Sequence, residues 1–427
     1  MSISNCIRKT LNLKDENIVF YDECIREEII NNKRCLVYIG YLDSNMVICT
    51  NCSKELVKNG SKSTLIKMPK VSELTTYLEL WKQRYTCDNC KSSYTSITPE
   101  IDYRCRISNN TKHSVINYSK EPTNSFKYTG NLHNICDKTV QRTNNRVYDN
   151  DKIYKHYLPE NMCFDEFQFM KKIMSFNMCD AVTGKTFDIV KNRQTDTLNK
   201  YFSYFTDKAK AKVRNIVIDM YKPYISIIKD NFPNASIIID LFHIVQLISK
   251  SMNKTRIMAM KKDKTKYNKM KRYWRLILKS RLDLDCSQWK KYTCFQNLMT
   301  EVNIVDYILN GNDELKNTYQ LYQDILYALQ SRDYNLLVTI LNTAYENISS
   351  YMKTSVITLK EFDPYIKNSL SSRFSNGVME RNNNTIKLIK RIAFGLRNFF
   401  NFKARILVAT SLFRAFKKTV VFLPISP

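Results

Sequence analysis

The feature that most restricts what this chain can fold into is the order of strand-like and helix-like patterns after residue 160. Three β-rich segments, 161–169, 172–180 and 185–190, follow one another closely, as an antiparallel meander would. A helical stretch near 195–210 leads into the apolar run Asn215-Ile216-Val217-Ile218-Asp219. A second helix, from Tyr221 to about Asn231, leads to Ser236-Ile237-Ile238-Ile239-Asp240. Residues 241–370 then space apolar side chains three and four apart with hardly any Gly or Pro, which predicts an almost wholly helical block. A last helix is expected over about 376–393. The chain has only seven glycines, so each is expected at a turn: Gly377 just before that helix, Gly395 where it ends.

Three strands, a helix, a strand, a helix, a strand and then a helical block before a final helix predict an α/β fold. The expected centre is a ribonuclease H-like core carrying an all-α insertion at about 245–370. A chain of 427 residues has room for further domains, and its texture changes twice before residue 160. Residues 1–100 hold short β-like runs, Asn17-Ile18-Val19-Phe20-Tyr21 and Cys35-Leu36-Val37-Tyr38-Ile39, among paired cysteines. Residues 101–158 are rich in Asn, Thr and Ser without sustained periodicity, either a weakly structured connector or a small helical module. The expected domains are therefore 1–100, 101–158 and 159–427, and no internal repeat is found.

Three carboxylates stand in settings that suit chemistry. Asp165 lies in Cys163-Phe164-Asp165-Glu166-Phe167, Asp219 closes an apolar strand, and Glu380 opens a basic helix after Ser375-Asn376-Gly377. Two Asp at strand positions and a later Glu are what a two-metal phosphoryl-transfer site needs. Hard divalent cations take carboxylate oxygens, and two of them ~4 Å apart can hold the attacking and leaving oxygens of a phosphodiester. Glu380 taken alone reads as one exposed Glu on an amphipathic helix; it gains weight only beside the aspartates. Asp180, Asp188 and Glu166 are nearby acids that rank below these three. On the last helix Glu380, Asn384, Lys387 and Arg391 share one face, and Val378, Thr385, Ile389 and Ile392 are expected opposite, toward the core.

The charge points to a polyanionic partner. There are 67 Lys and Arg against 40 Asp and Glu, a formal net charge of +27, in a chain whose 44% hydrophobic content is that of a globular protein. Lys250 to Arg281 contains thirteen Lys or Arg and one acid, Asp263, with Tyr267, Tyr273 and Trp274 interleaved. This run reads as phosphate contact, with Lys261, Lys262 and Arg272 as DNA-binding candidates and Trp274 as a stacking platform, or else as a solvated face. After Glu380 there are ten Lys or Arg and no acid, among them Lys387, Arg391 and Arg397. The segment from Ile135 to Arg146 starts with Asp137 as a cap and then offers Lys, Gln, Arg and Asn. It is either the recognition helix of a helix-turn-helix or a solvated polar helix.

Cys49-x-x-Cys52 and Cys87-x-x-Cys90 form two thiolate knuckles able to hold one tetrahedral zinc, the alternative being unrelated buried thiols. The flank Trp81-Lys82-Gln83-Arg84-Tyr85 suits a zinc module that touches DNA. The other nine cysteines are expected in the core, as reduced thiols. No apolar stretch reaches the eighteen or so residues of a membrane span, and no basic-then-apolar leader opens the chain, so a cytoplasmic site is expected.

Residues 161 to 405 closely resemble the ISL-three family of bacterial insertion-sequence transposases, members of the DDE superfamily with a ribonuclease H-like catalytic domain. The resemblance is carried by Cys163-Phe164-Asp165-Glu166-Phe167, by Val217-Ile218-Asp219-Met220-Tyr221-Lys222-Pro223-Tyr224 and by Phe232-Pro233-Asn234-Ala235. It continues through Asp240-Leu241-Phe242-His243-Ile244-Val245, Asn253-Lys254-Thr255-Arg256 and Ser375-Asn376-Gly377 with Glu380, Lys387, Arg391, Gly395, Arg397, Asn398 and Phe399. The double knuckle, with Arg84-Tyr85-Thr86 before Cys87, looks like the family's zinc-binding domain. The resemblance implies an acidic triad of Asp165, Asp219 and Glu380 holding two Mg2+ or Mn2+ ions. One ion activates water and then the freed 3′-hydroxyl; the other stabilises the leaving 3′-oxygen. It also implies cutting at terminal inverted repeats, joining to target double-stranded DNA, at least a homodimer on DNA, and a place on the bacterial nucleoid. Asp240 and His243 match a motif of related transposases, with a structural or orienting role rather than metal ligation. The sequence departs from the family at about 108–150, which is unusually polar where a clear helix-turn-helix is common. Two other readings share parts of this pattern: a catalytically silent, zinc-containing DNA-binding regulator, and a metal-dependent nuclease such as a Holliday-junction resolvase.

Overall fold

Among the residues that the computed structural model describes, 2–43, 48–147, 155–393 and 397–410, the chain forms two compact units. One is Met1–Lys152 with Asn383–Pro427, the other Ile153–Asn382. No helix among the described residues is long and apolar enough to cross a membrane.

The first unit opens with α1 (Ile3–Thr10), capped by the Ser2 hydroxyl, which accepts from the Asn5 amide. Six strands follow: β1 (Ile18–Val19), β2 (Ile25–Ile30), β3 (Lys33–Leu42), β4 (Val57–Lys67), β5 (Thr75–Thr86) and β6 (Ser93–Thr95). They form one sheet along β1-β3-β5-β4, with β2 on β3 and β6 on β5; β3 and β5 run parallel. One sheet face sends Tyr38, Leu42, Leu78 and Leu80 into a core with Ile7, Leu11 and Ile66, as the two-residue period of a strand requires. Gly40 lies in that face, where a Cβ would come within 3.1 Å of Phe20 and 3.3 Å of Ile18 and Leu78. The expectation that each glycine marks a turn fails here; close packing is what excludes a side chain.

Three helices complete this stretch: α2 (Asn109–Ser119), α3 (Phe126–Leu132) and α4 (Asp137–Val147). Of the two readings of this polar segment, the helical module is the one found. Side-chain caps stand in for apolar stripes as start signals: Ser108 accepts from the Thr111 amide and Ser125 from the Tyr128 amide. At the α3–α4 turn a Cβ on Gly130 would stand 2.7 Å from the Ile135 carbonyl oxygen, so the close approach needs glycine.

The second unit begins with the expected meander, β7 (Asn161–Met170), β8 (Ile173–Asp180) and β9 (Thr186–Val190). Then come α5 (Thr195–Phe202), α6 (Asp207–Lys210), β10 (Asn215–Ile218), α7 (Lys222–Asn231) and β11 (Ser236–Ile239). The sheet order is β11-β10-β7-β8-β9, with β7, β10 and β11 mutually parallel. One face packs Phe164, Phe176, Ile216, Ile218 and Ile239 in a core with Leu198, Phe202, Ile227 and Ile228.

After β11 come α8 (Leu241–Lys262), α9 (Tyr267–Arg272), α10 (Trp274–Leu278), β12 (Lys290–Lys291) and β13 (Leu298–Met299). Five more helices follow: α11 (Glu301–Leu309), α12 (Asp313–Gln330), α13 (Tyr334–Asn342), α14 (Ser350–Glu361) and α15 (Asp363–Ser371). The expectation of nearly continuous helix is corrected at the β12–β13 pair. There Asp285 gathers the Ser287 and Gln288 amides into a turn, and Cys294 adopts φ 75° without a glycine to announce it.

Two helices close the described chain, α16 (Gly377–Ile392) and α17 (Phe399–Ala409); Gly395 lies outside the described residues. The buried stripe of α16 is Met379, Asn382, Asn383, Ile386 and Ile389. Of the four residues expected there, Val378, Thr385 and Ile392 are only half-buried. The helix is turned by about one residue because Met379 seats against the second sheet face, with Cys163, Cys179, Val217 and Ile238, and Asn382 Nδ2 donates to the Gly184 carbonyl at 2.8 Å. Another expectation also needs correction. Of the nine cysteines assigned to the core, Cys24, Cys35, Cys163 and Cys179 are buried, but Cys6, Cys136, Cys286 and Cys294 are exposed. A thiol at a helix surface or in a loop costs little to leave in water, so residue type alone did not locate them. All thirteen are free thiols.

Candidate active site and metal centre

The segments β10 and β11 share one design, a polar residue, three β-branched residues and then Asp. Their parallel register runs from Asn215 opposite Ser236 to Ile218 opposite Ile239. Asp219 and Asp240 therefore leave the sheet side by side, and the Asp240 amide donates to the Ile218 carbonyl at 3.0 Å. On the other flank Val217 pairs with Cys163 of β7, so two residues further on Asp165 is level with Asp219. By strand alternation the three aspartates continue the face of Cys163, Val217 and Ile238, where Met379 lies. Met379 Sδ accepts from Asn177 Nδ2 at 3.2 Å, and Asn177 is the cross-strand partner of Asp165. Glu380 is the next residue, exposed in the first turn of α16.

Two residues tie these acids together. His243, in the first turn of α8, holds Nδ1 3.0 Å from Asp219 Oδ1 and 3.3 Å from Asp240 Oδ2. Asn376 donates from Nδ2 to Asp219 Oδ1 at 3.2 Å and from its backbone amide to Asp240 Oδ1 at 3.4 Å. Burial, and then the charge of Asp165, push the Asp219 carboxyl up to about 6, while His243 pulls it back. The bond to Asp240 raises the His243 pKa above its ordinary value against the opposing effect of burial, and Asp219 adds to the rise.

Both shifts are upward, so in each case the folded state binds the proton more tightly than the unfolded chain. The Asp219 contribution to stability is present below its ordinary value near 4 and lost by about pH 6; that of His243 is lost as pH rises above about 6.5. Without added divalent ion, the second unit is expected to melt higher at pH 5 than at pH 8. His243→Gln is expected to flatten the part of that decline above pH 6.5. Melting curves at pH 5, 6.5 and 8 check this, and a wild-type protein that melts higher at pH 8 than at pH 5 would refute it.

The three lower-ranked acids have other partners. Glu166 is ion-paired with Arg193 and accepts from the Tyr224 hydroxyl at 3.2 Å. Asp180 accepts the Val182 and Thr183 amides in a turn, at 2.7 and 3.2 Å, and Asp188 is buried against the Tyr201 hydroxyl at 2.7 Å. The donor set at the strand ends, carboxylates with the Asn376 carboxamide, is all oxygen save for His243 and fits a hard divalent cation. These acids are not drawn into a closed cage. Among the described residues, three or more Cys, His, Asp or Glu donor atoms come within 4.8 Å of one another only at Cys49, Cys52, Cys87 and Cys90.

That cysteine group is made of two matching knuckles in the first unit. In one, the Ser53 amide donates to the Cys49 carbonyl at 2.9 Å and the Cys49 amide to Lys54 at 2.8 Å. In the other, the Lys91 amide donates to the Cys87 carbonyl at 2.8 Å and the Cys87 amide to Ser92 at 2.9 Å. Ser53 and Lys91 both take φ 56°, which turns each loop back on its thiols. The Cys49 and Cys90 sulfurs are 3.5 Å apart and those of Cys52 and Cys87 3.4 Å. Four thiolates ~2.3 Å from one tetrahedral Zn2+ stand roughly 3.8 Å apart, so the group fits zinc. The Tyr94 hydroxyl brings the Cys49 thiol down to about 6, and the Ser92 hydroxyl lowers Cys90.

The DNA-binding candidates lie on surfaces of their own units. In the second unit Lys261 and Lys262 are exposed at the end of α8, Arg272 is exposed, and Trp274 is 37% exposed with the Arg275 guanidinium 5.4 Å from its ring centroid. Part of this cationic run has intramolecular work: Arg256 is buried on Asn253, and Lys269 lies over Phe295 and Tyr307. Lys387 and Arg391 are exposed on α16, as is Arg397 beyond it. Sequence reasoning missed Asn376 as part of the acidic site, since a carboxamide carries no charge pattern. The alignment of Asp240 with Asp219 was open to detection in the repeated strand-then-Asp design.

A family model described as Transposase (DDE_Tnp_ISL3) matches residues 162–406. The "Transposase for insertion sequence element IS1001" of Bordetella parapertussis is 25% identical over 288 residues, 63% of this chain and 64% of that protein. A protein of Lactococcus lactis subsp. lactis named "ATP-dependent protease" is 44% identical over 110 residues, 26% of this chain and 35% of that protein. The chain thus spans about a third of one curated relative and just under two thirds of the other. Its seven glycines include no Gly-x-x-x-x-Gly-Lys phosphate loop.

Proposed function

Because the chain belongs to the ISL3 family of transposases, we propose that it binds the terminal inverted repeats of an insertion sequence and catalyses metal-dependent strand cleavage and strand transfer. The observation that carries this reading is the alignment of Asp165 and Asp219 on neighbouring parallel strands, on the sheet face where Met379 seats α16 and Glu380 follows. The sheet order, three antiparallel strands extended by two parallel ones, supports a ribonuclease H-like core, with α8 to α15 as its insertion. In this reading residues 1–100 are a zinc-binding domain, 101–158 a helix-turn-helix-like module and 159–427 the catalytic domain.

Two Mg2+ or Mn2+ ions at the acids supply charge neutralisation at the scissile phosphate and a more acidic water or 3′-hydroxyl. Asp165 and Asp219 are positioned by strand backbone, and Asp240 and His243 orient Asp219. Glu380 would complete the set from the first turn of a helix whose exposed face continues through Asn384, Lys387 and Arg391, the last two being cations suited to flanking phosphates. Exposed Lys138 and Arg142 of α4 are suited to base edges of the repeat, and Lys261, Lys262, Arg272 and Trp274 to the DNA beyond it. Two ends must be brought together, so at least a homodimer on DNA is required, in the bacterial cytoplasm and on the nucleoid.

The test is purified protein with Mg2+ and a supercoiled plasmid bearing the repeats that flank the gene. The expected result is nicking at the repeat ends followed by joining to a second plasmid. Binding of the ends with no cut would overturn this in favour of a silent DNA-binding regulator, and cutting of four-way junctions without end dependence in favour of a resolvase-like nuclease.

A further inference from the structure

We propose that Asn376 is a ligand of the divalent-cation site, its Oδ1 supplying a neutral oxygen while its two N–H groups hold the neighbouring acids. This rests on the reading of Asp165, Asp219 and Glu380 as metal-binding acids. Asn376 is 5% exposed, and its four polar groups are used unequally. Nδ2 donates to Asp219 and the backbone amide to Asp240. The backbone carbonyl accepts the Met379 and Glu380 amides at 2.9 and 3.1 Å, which starts α16. Oδ1 is buried and has no hydrogen-bond partner.

A carboxamide oxygen buried without a donor is costly, so such an atom calls for a role. Turning the amide over does not help, because Oδ1 would then face the lone pairs of Asp219, where no donor exists. A hard cation beside the carboxylates satisfies the oxygen directly, since Asn carbonyls are ordinary ligands of such ions. The residue is also held in place from both sides. The Cys163 thiol donates to the preceding Ser375 carbonyl at 3.8 Å, and Gly377 follows at the helix start. Asn376 thus joins Asp219 and Asp240 to the helix that bears Glu380, and an added cation completes its bonding. Asn144 Oδ1 is likewise buried without a donor, and what sets Asn376 apart is that its N–H groups lie against two carboxylates.

The experiment is Mn2+ binding by the full-length, zinc-loaded chain at pH 7.5, followed by the electron paramagnetic resonance signal of free Mn2+. Melting curves without added divalent ion are run alongside. Asn376→Ala is expected to weaken Mn2+ binding about 10-fold or more while melting, metal-free, within a degree or two of wild type or above it. Asn376→Asp, which keeps the oxygen, is expected to hold Mn2+ within a few-fold of wild type or tighter. An Asn376→Ala protein that binds Mn2+ like wild type overturns the proposal. So does a loss of binding matched by a large fall in metal-free melting temperature, which marks a structural part only. If Asn376→Ala does not fold, a folded Asn376→Asp that fails to bind Mn2+ overturns it equally. Wild type that binds no Mn2+, or binds it unaffected by Asp219→Asn, brings down the underlying reading of the acids and this inference with it.

Discussion

Asp219→Asn is expected to lower strand cleavage by roughly a thousandfold or more and yet to raise the melting temperature of the protein when no divalent ion is added. The loss follows from the proposed role: a metal-held transition-state charge is worth several kcal/mol, and each ~1.4 kcal/mol is tenfold in rate. The gain follows from electrostatics already present in the fold. Burial and the neighbouring Asp165 push the Asp219 carboxyl up to about 6, so at pH 7.5 it is ionised where ionisation is unfavourable. A shift of about 2 units corresponds to ~3 kcal/mol. Its side chain is 30% exposed, and solvent screening reduces this to roughly 1–2 kcal/mol. For a unit of about 230 residues that is roughly 3–6 °C. Asparagine keeps the shape, removes the charge and leaves His243 its Asp240 partner. The expected pattern, less function with more stability, is what a strained site gives and a merely structural aspartate does not. A gel assay of end nicking and calorimetry without added ions measure the two halves. A variant that cuts within tenfold of wild type, or melts below it, would refute the assignment.

Legibility in the sequence differed sharply between backbone and side-chain detail. The meander, β10, α7 and β11 could all be read because short apolar runs ending in Asp, separated by one amphipathic helix, admit few alternatives. Register was readable only in part. The repeated strand-then-Asp design hints at Asp240 beside Asp219, but that Asp165 stands level with Asp219 depends on which residues pair across strands, and pairing is non-local. The rotation of α16 was off by one residue because the apolar count favoured Ile392, while the decisive contacts are Met379 in a small pocket of thiols and Asn382 on a backbone carbonyl. Asn376 is invisible for the same reason: its importance comes from what surrounds it. The hairpin near 290–299 escaped because its turns use Asp285 and Cys294 in place of the usual Gly or Pro. The cysteine knuckles were the easiest to read, since their spacing carries its own geometry.

Those knuckles yield the other large expected effect. Their backbone bonds fold each loop around two thiols, but the four sulfurs close together only where the loop after β3 meets the one between β5 and β6. Cys49 and Cys87 are buried, but Cys52 is half-buried and Cys90 exposed, and the core of this sheet lies further along, around Leu78, Leu80 and Ile66. A zinc held there would add to the local stability, since structural zinc in small modules is worth about 10–16 kcal/mol near neutral pH. Cys52→Ser, or a chelator strong enough to strip zinc, is expected to remove one zinc per chain and expose residues 49–58 and 85–95 to rapid amide exchange. Mn2+ binding by Asp165 and Asp219, on the separate sheet of the second unit, is expected to persist. Zinc loss should also set in on acidification, as protons compete with the metal for the sulfurs. Metal analysis after gel filtration, with hydrogen exchange before and after stripping, reads both outcomes. If the stripped protein retained full protection at 49–58 and 85–95, the four thiols would be bystanders, and the sheet would have to hold that end together by hydrogen bonds alone.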